Sequence, residues 1–512
     1  MITFNAEGPR GKVVFFIPRW LDAPRRTSGL GLPLESLSVA GALARSGFEV
    51  LAIDESLEPD LEAVLSRARD GGVALRCAWL GELYAYQFRG LHRFVETTTR
   101  LGMEAPMVLG GSLVTVCPPD ILARTEGVDV FVHGLGEECL PELSMRLVEG
   151  MDFRDVPGIS FLSEGRLVIN AAAPPRNLSP STSDFYREMD LTPYVERDQN
   201  VFDTSEPVLK VRLGRGCARA CDFCYHYRVK QSRILAEQAV EDILYLSRRY
   251  DVHHFSFHEL DFFSDRRRAL RIADALAAEA PDIRWFALGS VADLVRLSTE
   301  EIARLVRGGC RIIEMGTESG SEKILRIIGK HHAPGQAVLA TQSLLAQGIN
   351  AAHNLIFGIP GELPIDRRRT LDLCRQILSL DPGRVILFPR LYQISPGTPL
   401  GDEILARHPG VDLPRTVFEA STWRKDFRKH RVFPWLSAAA EREIKDLADY
   451  YIPMMQVRAR WGAGARCPTS VRMLSKIVDL RVATGMFGLP VDRWLYDHLP
   501  HRSSALVDAF AE

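Results

Sequence analysis

Two long stretches of this chain alternate short apolar, β-branched runs with helical patterns. The first covers residues 1 to about 170, with strand-like runs such as KVVFFIP and EVLAID, and the second covers residues 208 to about 400. Strands that alternate with helices predict parallel sheets with helices on both faces. We therefore expect an α/β protein with a five-unit doubly wound layer, followed by a six-unit open barrel, because a closed barrel of this type needs eight units.

The other segments are less regular. Residues 171–207 are polar, proline-containing and aperiodic, which predicts an interdomain linker. Residues 401–512 have helical periodicity and predict a C-terminal helical domain. A chain of 512 residues is too long for one ordinary core, and typical domain sizes suggest roughly three domains.

The composition excludes some classes of protein. Charged residues make up 25% of the chain and hydrophobic ones 46%, which is the balance of a soluble globular protein. A net charge of −2 gives no general attraction to nucleic acid, so we expect a small-molecule substrate. No stretch reaches the ~18 uninterrupted apolar residues of a membrane span, and residues 1–10 lack a signal-peptide pattern. We expect a cytoplasmic protein with no membrane span.

The strongest chemical signal is a cysteine run, LGRGCARACDFCYHY, at residues 213–227. It places Cys217, Cys221 and Cys224 in a C-x3-C-x2-C pattern, and short runs of this kind most often hold iron–sulfur clusters. Because no fourth cysteine lies nearby, one iron would be open to a small molecule, which suits catalysis. An alternative is a Cys3His zinc site that includes His226.

This cysteine run, including the aromatic Phe223, resembles the signature of the radical S-adenosylmethionine (radical SAM) superfamily. In that family the open iron of a [4Fe–4S] cluster chelates the amino acid part of SAM, and reduction cleaves SAM to a 5′-deoxyadenosyl radical. The resemblance implies that Cys217, Cys221 and Cys224 hold such a cluster. It also implies SAM as a second cofactor and an electron donor such as flavodoxin or ferredoxin as a partner.

The strand ends of the second stretch resemble the SAM-binding elements of the same family. After the second predicted strand, Glu259 and Asp261 stand where the family receives the SAM ammonium, although not in its Gly-Gly-Glu form. A carboxylate at that place would pair with an ammonium. Glu318, followed by Ser319, matches the family's contact with the ribose or the amino acid of SAM, and a carboxylate can accept two hydroxyl hydrogen bonds.

The last two predicted strands continue this resemblance. Gly358 and Pro360 follow the fifth strand and Leu391 ends the sixth, at positions whose backbone borders the adenine in the family. Any one of these elements alone would also suit an ordinary strand-to-loop turn. Together, and in order with the cysteines, they favour the radical SAM interpretation over zinc.

Two glycine-rich loops follow strands of the first stretch, at the carboxyl ends where sheets of this type bind ligands. Their candidate residues are Gly110, Gly111, Ser112, Thr115, Gly134, Gly136 and Glu137. Neither loop has the G-x-G-x-x-G pattern of nicotinamide sites, and the glycines would also suit tight turns without a ligand.

The order VLGGSLVT, VDVFVHGLGEE and PGISFLSEGRLVIN resembles the Rossmann-like or flavodoxin-like cobalamin-binding domain of cobalamin-dependent radical SAM enzymes. The resemblance implies that the two glycine loops bind cobalamin. Cobalamin domains that supply a lower axial histidine carry D-x-H-x-x-G. Here His133 and Gly136 fit that motif, but Phe131 replaces the aspartate that would orient the histidine. We therefore expect no histidine ligand to cobalt.

These features lead to one expected function and two alternatives. The resemblance implies a cobalamin-dependent radical SAM enzyme, and we expect it to methylate an unactivated carbon of a small metabolite. A cyclase or ring-rearrangement enzyme with the same cofactors is the first alternative. The second, from another class, is a non-catalytic cobalamin-binding or metal-binding protein, which would not need the SAM elements.

Overall fold

The computed structural model describes residues 2–4, 10–18, 32–58, 60–80, 87–171, 184–195, 206–228, 231–411, 413–419, 433–461, 469–487 and 491–497. Within them lie an eight-stranded sheet, a six-stranded sheet and a two-stranded ribbon. Helices cover the sheets and make up the C-terminal part that is described.

The first sheet is the predicted doubly wound layer, which the structure confirms. Its strands are β1 (Ile2–Phe4), β2 (Lys12–Ile17), β3 (Glu49–Asp54), β4 (Leu75–Leu80), β5 (Met107–Gly111), β6 (Val130–Val132), β7 (Ile159–Ser163) and β8 (Arg166–Ile169). They lie in the order β1-β3-β2-β4-β5-β6-β7-β8. The strands from β2 to β6 are parallel, and β1, β7 and β8 pair antiparallel at the two edges.

Helices connect these strands on both faces of the sheet. They are α1 (Leu34–Arg45), α2 (Leu61–Asp70), α3 (Gln87–Arg100), α4 (Ser112–Val116), α5 (Pro119–Ala123) and α6 (Gly136–Val148). The chain reverses its direction of winding between β2 and β4, so the crevice beyond their carboxyl ends is the expected ligand position. Both glycine loops lie along that edge of the sheet.

The second sheet is the predicted open barrel of six parallel strands, which is also confirmed. Its strands β9 (Val208–Arg212), β12 (His254–His258), β13 (Arg284–Gly289), β14 (Cys310–Glu318), β15 (Asn350–Phe357) and β16 (Val385–Leu391) lie in chain order. The ribbon β10 (Gly214–Arg215) and β11 (Ser232–Arg233) flanks the cysteine run. The run therefore follows the first barrel strand, at the end where such barrels carry their active residues.

The helices of this part alternate with its strands. They are α9 (Ala236–Tyr250), α10 (Arg266–Glu279), α11 (Val291–Leu294), α12 (Thr299–Arg307), α13 (Glu322–Ile327), α14 (Pro334–Ala346), α15 (Pro364–Leu380) and α16 (Pro399–Arg407). Alternate strand residues such as Val211, Phe257 and Trp285 belong to the core between sheet and helices. Their strand neighbours, including Arg212 and His258, therefore face the interior of the barrel.

Two short helices lie in the segment predicted as a linker, α7 (Phe185–Glu188) and α8 (Thr192–Val195), while residues 172–183 and 196–205 lie outside the described part. Their aromatic side chains are buried between the two sheets. Tyr194 donates a hydrogen bond to Asp54 at the end of β3 (2.9 Å), and Tyr186 accepts one from the backbone of Arg212 at the end of β9 (2.8 Å). These contacts join the carboxyl ends of both sheets.

The described C-terminal residues form α17 (Ala438–Asp446), one π-helical turn, α18 (Ile452–Trp461), α19 (Thr469–Thr484) and α20 (Val491–Asp497). The buried Gln456 of α18 accepts a hydrogen bond from the Leu387 backbone N–H (2.7 Å) and donates one to its carbonyl (2.8 Å). This amide satisfies the outer edge of β16, which would otherwise be exposed to another strand. None of the helices described has both the length and the apolar character to span a membrane.

Candidate active site between the two sheets

A cavity of about 430 Å³ lies where the carboxyl edges of the two sheets meet. One wall comes from the first sheet and its glycine loops, including Trp79, Gly111 and Gly134. The other comes from the barrel and the cysteine run, including Gly216 and His226. The fold thus brings the two predicted cofactor regions, about a hundred residues apart in sequence, to one space.

The three cysteines of the run lie half-buried to buried beside this cavity. Burial is the main cause that raises the pKa of each thiol, and the pKa of Cys224 is raised to about 11. The thiols therefore stay protonated until a metal replaces their protons. In the described part of the chain no three histidine, cysteine or carboxylate side chains are already gathered around one metal-sized point.

Glu318 stands next to the cysteine run in a strained conformation. Its φ of 58° is in the left-handed region, which non-glycine residues rarely adopt and which is common at functional sites. Lys330 places its Nζ 2.9 Å from Glu318 Oε1 and 5.9 Å from the centre of the Phe223 ring. Gly316 is required here, since a Cβ on it would lie 2.5 Å from both charged groups. Lys330 thereby links the predicted residues Glu318 and Phe223 to the cysteine loop.

Glu259 and Asp261 already have arginine partners. The two oxygens of Glu259 accept hydrogen bonds from Arg233 (2.8 Å) and Arg268 (2.9 Å). Asp261 accepts from Arg219 of the cysteine run (3.0 Å) and from the backbone of Ser290 (3.1 Å). Burial raises the pKa of both carboxyl groups and the arginines oppose that rise. The predicted contact with the SAM ammonium stays a prediction. In this structure the two carboxylates connect the end of β12 to these arginines and to the backbone of Ser290.

The predicted residues at the later strand ends form tight, buried turns. Ser319 shares a hydrogen bond with Thr370 of α15 (3.0 Å), which fixes the turn after β14. Gly358 has a φ of 86°, and a Cβ on it would lie 2.8 Å from the ring of Phe433. Its carbonyl accepts a hydrogen bond from the indole of Trp435 (3.1 Å). Aromatic residues of the C-terminal part therefore close over this end of the barrel.

The neighbouring residues of these turns are held through the backbone. The N–H of Gly358 donates to Glu362 (2.8 Å), whose pKa burial raises to about 7. Pro360 lies in the turn between these two residues and is partly buried. Leu391 ends β16 opposite Phe357, and the next backbone N–H donates to the carbonyl of Phe357 (2.8 Å). The ends of β15 and β16 are thus a rigid backbone surface.

The two glycine loops are tied together by Thr115. Its hydroxyl donates to the carbonyl of Gly111 (3.1 Å) and accepts from the N–H of Gly134 (2.8 Å). Gly111 and Gly134 have φ values of 113° and 75°, and beside Gly134 the position of a Cβ is open space. Ser112 donates to Glu35 across the crevice (3.4 Å). These loops present backbone and small side chains to the cavity.

Gly110 and Gly136 both lie against the ring of Trp79. A Cβ on either would lie 2.0 to 2.2 Å from the ring of Trp79, which is 3% exposed. The indole therefore occupies the space that both glycines leave, and it forms part of the cavity wall. The predicted cobalamin contacts of Gly110 and Gly136 stay a prediction, and the structure adds Trp79 between them.

Glu137 joins the two domains. Arg215 of the ribbon donates to both of its oxygens, with Nη1 2.7 Å from Oε2, and Ser38 donates to Oε1 (2.5 Å). Burial opposes ionisation, but the charge of Arg215 lowers the pKa of Glu137 to about 2. The predicted cobalamin residue is thus a buried carboxylate in an interdomain ion pair.

His133 is held by partners of its own. Its Nε2 lies 2.8 Å from the hydroxyl of Ser160, and the other hydrogen bond involves the backbone of Val114. Burial lowers the pKa of the imidazole. The expectation that His133 is not a cobalt ligand stays a prediction.

Two family models match the chain. The model described as the B12 binding domain matches residues 26–144, and the model of the Radical SAM superfamily matches residues 211–374. Together they cover more than half of the sequence. This chain is a radical SAM protein with a B12-binding domain. It is an enzyme whose two domains imply a [4Fe–4S] cluster, SAM and cobalamin as cofactors.

Curated proteins similar to this radical SAM protein include one named as a methyltransferase and one named as a cyclase. An uncharacterized methyltransferase, PH0819, of Pyrococcus horikoshii is 24% identical over 375 residues, which cover 72% of this chain and 78% of that protein. An anaerobic magnesium-protoporphyrin IX monomethyl ester cyclase of Rubrivivax gelatinosus is 22% identical over 378 residues, 71% of this chain and 65% of that protein. The chain therefore spans about two thirds of the cyclase.

Solved structures share the whole arrangement of domains. The radical SAM methyltransferase TsrM from Kitasatospora setae, with cobalamin and a [4Fe–4S] cluster bound, has a TM-score of 0.64 at 17% identity over 93% of this chain and 99% of that one. OxsB, a cobalamin-dependent SAM radical enzyme with aqua-cobalamin and SAM bound, has a TM-score of 0.67 at 14% identity over 95% and 74% of the two chains. At this identity the likeness shows the fold.

The donor atoms of the radical SAM protein fit the implied cofactors. Three thiols within one loop are the soft ligands that iron–sulfur clusters take. The open space beside Gly134 leaves room for a bulky ligand to approach the backbone closely. His226, the fourth ligand in the zinc alternative, lines the cavity and packs its ring 4.0 Å from that of Tyr225.

Reasoning from the sequence missed four residues of the site, Trp79, Arg212, Arg215 and Lys330. The first two end predicted strands on the side where such sheets bind ligands, so their positions could have identified them. Arg215 lies within the quoted cysteine run, but its partner Glu137 is 78 residues away. Lys330 follows a short helix in an unremarkable sequence, and only the packed structure reveals its contact with Glu318.

Proposed function

We propose that this protein is a cobalamin-dependent radical SAM methyltransferase that acts on an unactivated carbon of a small metabolite. The observation that carries the proposal is the single cavity lined by the glycine loops of one domain and by the cysteine run of the other. Two cofactors that each complete half of one reaction have to meet in such a space.

When bound, the cluster with SAM supplies a 5′-deoxyadenosyl radical and cobalamin supplies a methyl group. We propose that Cys217, Cys221 and Cys224 hold the cluster. Glu318 then contacts the ribose or amino acid of SAM, and Lys330 keeps that carboxylate oriented. The turns at Gly358 and Leu391 offer backbone to the adenine, and the aromatic residues over Gly358 exclude water from it.

The loops at Gly111 and Gly134 are the proposed cobalamin site. They offer backbone groups and the hydroxyls of Ser112 and Thr115 rather than charged side chains. Trp79 forms an apolar wall beside them. The ion pair between Glu137 and Arg215 keeps the two domains at a fixed separation, so that the reacting groups are held in place.

Two findings support methyl transfer over the other reactions of such cofactors. Cobalamin is a carrier of methyl groups, and PH0819 and TsrM are both named methyltransferases. The second candidate is ring formation, because several relatives are named as cyclases. TsrM was solved with a tryptophan substrate, which agrees with a small molecule as the substrate class.

We also propose the partners that this chemistry needs. Reductive cleavage of SAM requires an electron donor such as flavodoxin or ferredoxin. The three thiols of the run must stay reduced to bind iron, which favours the cytoplasm. The net charge of −2 agrees with the absence of a nucleic-acid partner.

Anaerobic turnover with methyl-labelled SAM in extracts of the producing organism tests the proposal. A methyltransferase forms 5′-deoxyadenosine and S-adenosylhomocysteine in step with a labelled product. A cyclase forms 5′-deoxyadenosine without S-adenosylhomocysteine. Substrate-dependent 5′-deoxyadenosine with no label in the product would rule out methyl transfer and leave the radical SAM assignment intact.

A further inference from the structure

Among the described residues, the side chain of Arg212 at the end of β9 is a buried charge without a hydrogen-bond partner. Its side chain is 0% exposed, and within the described part of the chain none of its three guanidinium nitrogens makes a hydrogen bond. The side chain faces the barrel interior and lines the cavity between the sheets. A fully buried guanidinium normally has several partners, because its five N–H groups lose their water on burial.

The nearest carboxylate does not satisfy Arg212. Its Nη1 lies 3.5 Å from Glu137 Oε1, and that oxygen already accepts hydrogen bonds from Ser38 and Arg215. Burial, followed by the charge of Arg215, lowers the pKa of Arg212 to about 10, so the group is still charged at neutral pH. Two arginines therefore share one carboxylate, whose side chain is 9% exposed.

The other groups that face Arg212 in the described part of the chain do not supply its missing hydrogen bonds. His258 lies directly across the strand pair from it, and burial lowers the pKa of that imidazole to about 3, which leaves it neutral. Lys210 lies two residues earlier on the same strand, with its side chain on the same side. Glu35 is near enough to act on Arg212 through its charge, but it makes no hydrogen bond to the guanidinium, and its carboxylate accepts one from Ser112.

We propose that Arg212 binds an anionic oxygen group, a carboxylate or a phosphate, of the molecule held between the two domains. This inference rests on the proposed function and narrows its ligand class. The group comes from one of two sources: a carboxylate or phosphate of the substrate, or the phosphate of the cobalamin nucleotide. A guanidinium holds either group with two parallel hydrogen bonds, which fixes its orientation as well as its distance.

The position of Arg212 favours the substrate as the source. Its strand leads directly into the cysteine run, five residues before Cys217. The loops proposed for cobalamin, at Gly111 and Gly134, belong to the other domain and line the same cavity. An anchor at Arg212 would therefore hold the substrate on the side of the cavity where the cluster and SAM bind.

Thermal unfolding first separates a ligand-binding residue from a structural one. The cluster-loaded, cobalamin-free chain is compared with its Arg212→Met variant and with Arg268→Met as a matched control. Arg268 is equally buried but fully partnered, by Glu259 and by the carbonyls of Leu213 and Ile234. We expect Arg212→Met to raise Tm by about 2 °C or more, since it removes an unpaired buried charge, and Arg268→Met to lower it. A lower Tm for both variants would make Arg212 structural and overturn the inference.

Binding measurements then identify the source, with Arg212→Gln as a second variant of similar shape. In one arm, cobalamin and cobinamide, which lacks the nucleotide and its phosphate, are titrated into wild type and variants. If the phosphate of cobalamin is the partner, cobalamin binding weakens at least ~10-fold in the variants and the preference over cobinamide disappears.

In the other arm, acetate and inorganic phosphate are titrated into the holoenzyme. If the substrate supplies the partner, cobalamin binding is unchanged and these anions bind wild type at least ~10-fold more tightly than the variants.

An absence of any Arg212-dependent binding in both arms overturns the inference. That result does not affect the proposed function, because labelled methyl transfer is measured separately. Suppose that the wild type methylates its substrate and that the variants bind cobalamin and both anions as the wild type does. The methyltransferase proposal would then hold, and the anion site at Arg212 would be ruled out.

Discussion

The two sheet edges that form the cavity are built in different ways. The edge of the B12-binding domain offers glycine backbone, two hydroxyls and the indole of Trp79, with few charges. The edge of the radical SAM domain is a set of buried ion pairs, in which Glu259, Asp261 and Glu318 each have a cationic partner. In the proposed function the first edge would recognise a bulky macrocycle by shape, and the second would recognise a sulfonium on a cluster by charge and metal coordination.

This contrast predicts different sensitivities to mutation. Substitutions at the ionic edge should abolish chemistry or destabilise the fold, because a buried charge left alone is costly. At the glycine edge, a side chain at Gly134 would enter open space, so a substitution there should weaken binding by steric conflict and leave the fold intact.

The largest effect is expected for Cys217→Ala. A cluster short of one thiolate is neither stable nor correctly poised, so SAM cleavage should fall to background and iron content should drop from about four per chain. Iron analysis and anaerobic 5′-deoxyadenosine formation measure both quantities. Cys310→Ala is the control, since this buried cysteine lies at the start of β14 and should leave iron content unchanged. Full iron in Cys217→Ala would contradict the assignment.

A smaller effect is expected for Lys330→Met at the same edge. The change leaves Glu318 buried without its cation, which costs about 3 kcal/mol in comparable buried pairs. The apparent free energy of unfolding from urea denaturation measures this loss. Lys323→Met is the matched control, because Lys323 is 40% exposed and its ion pair with Asp366 should contribute about 1 kcal/mol or less. Equal losses for the two lysines would remove the distinction between a buried ionic edge and ordinary surface pairs.

At the glycine edge we expect Gly134→Val to weaken cobalamin binding by at least ~10-fold, since its side chain would fill the open space beside the loop. Gly102→Val controls for backbone strain, because Gly102 also has a positive φ and open surroundings but does not line the cavity. Both changes should cost about 1–2 kcal/mol of stability. A cobalamin affinity that falls equally in both variants would argue against a site at Gly134.

The smallest effect is expected for His133→Ala. With its ring nitrogens engaged by Ser160 and by the backbone of Val114, His133 should not coordinate cobalt. The electron paramagnetic resonance spectrum of cob(II)alamin should lack nitrogen superhyperfine splitting in wild type and be unchanged in the variant. Stability should fall by about 1 kcal/mol for the lost hydrogen bond. Splitting that disappears in His133→Ala would show that the histidine is a ligand after all.

The same contrast explains what could be predicted from the sequence. Both sheets were predicted because strand and helix periodicity is local, and the cysteines because their spacing is local. The partners of Glu137 and Asp261 could not be predicted in this way, since each depends on how distant segments pack. Arg215, for example, is the partner of Glu137 across the domain boundary. The glycines were predicted as one group, but only packing shows that Trp79 fills the space beside Gly110 and Gly136 while Gly134 faces open space.

The central claim is that the two edges bring their cofactors together in one cavity. Electron paramagnetic resonance of the anaerobically reduced holoenzyme, loaded with the cluster and with cob(II)alamin, tests it most directly. We predict that the cob(II)alamin signal is broadened by magnetic coupling to the reduced cluster and that this broadening disappears in Cys217→Ala. A spectrum equal to the sum of the two separate signals would contradict the account.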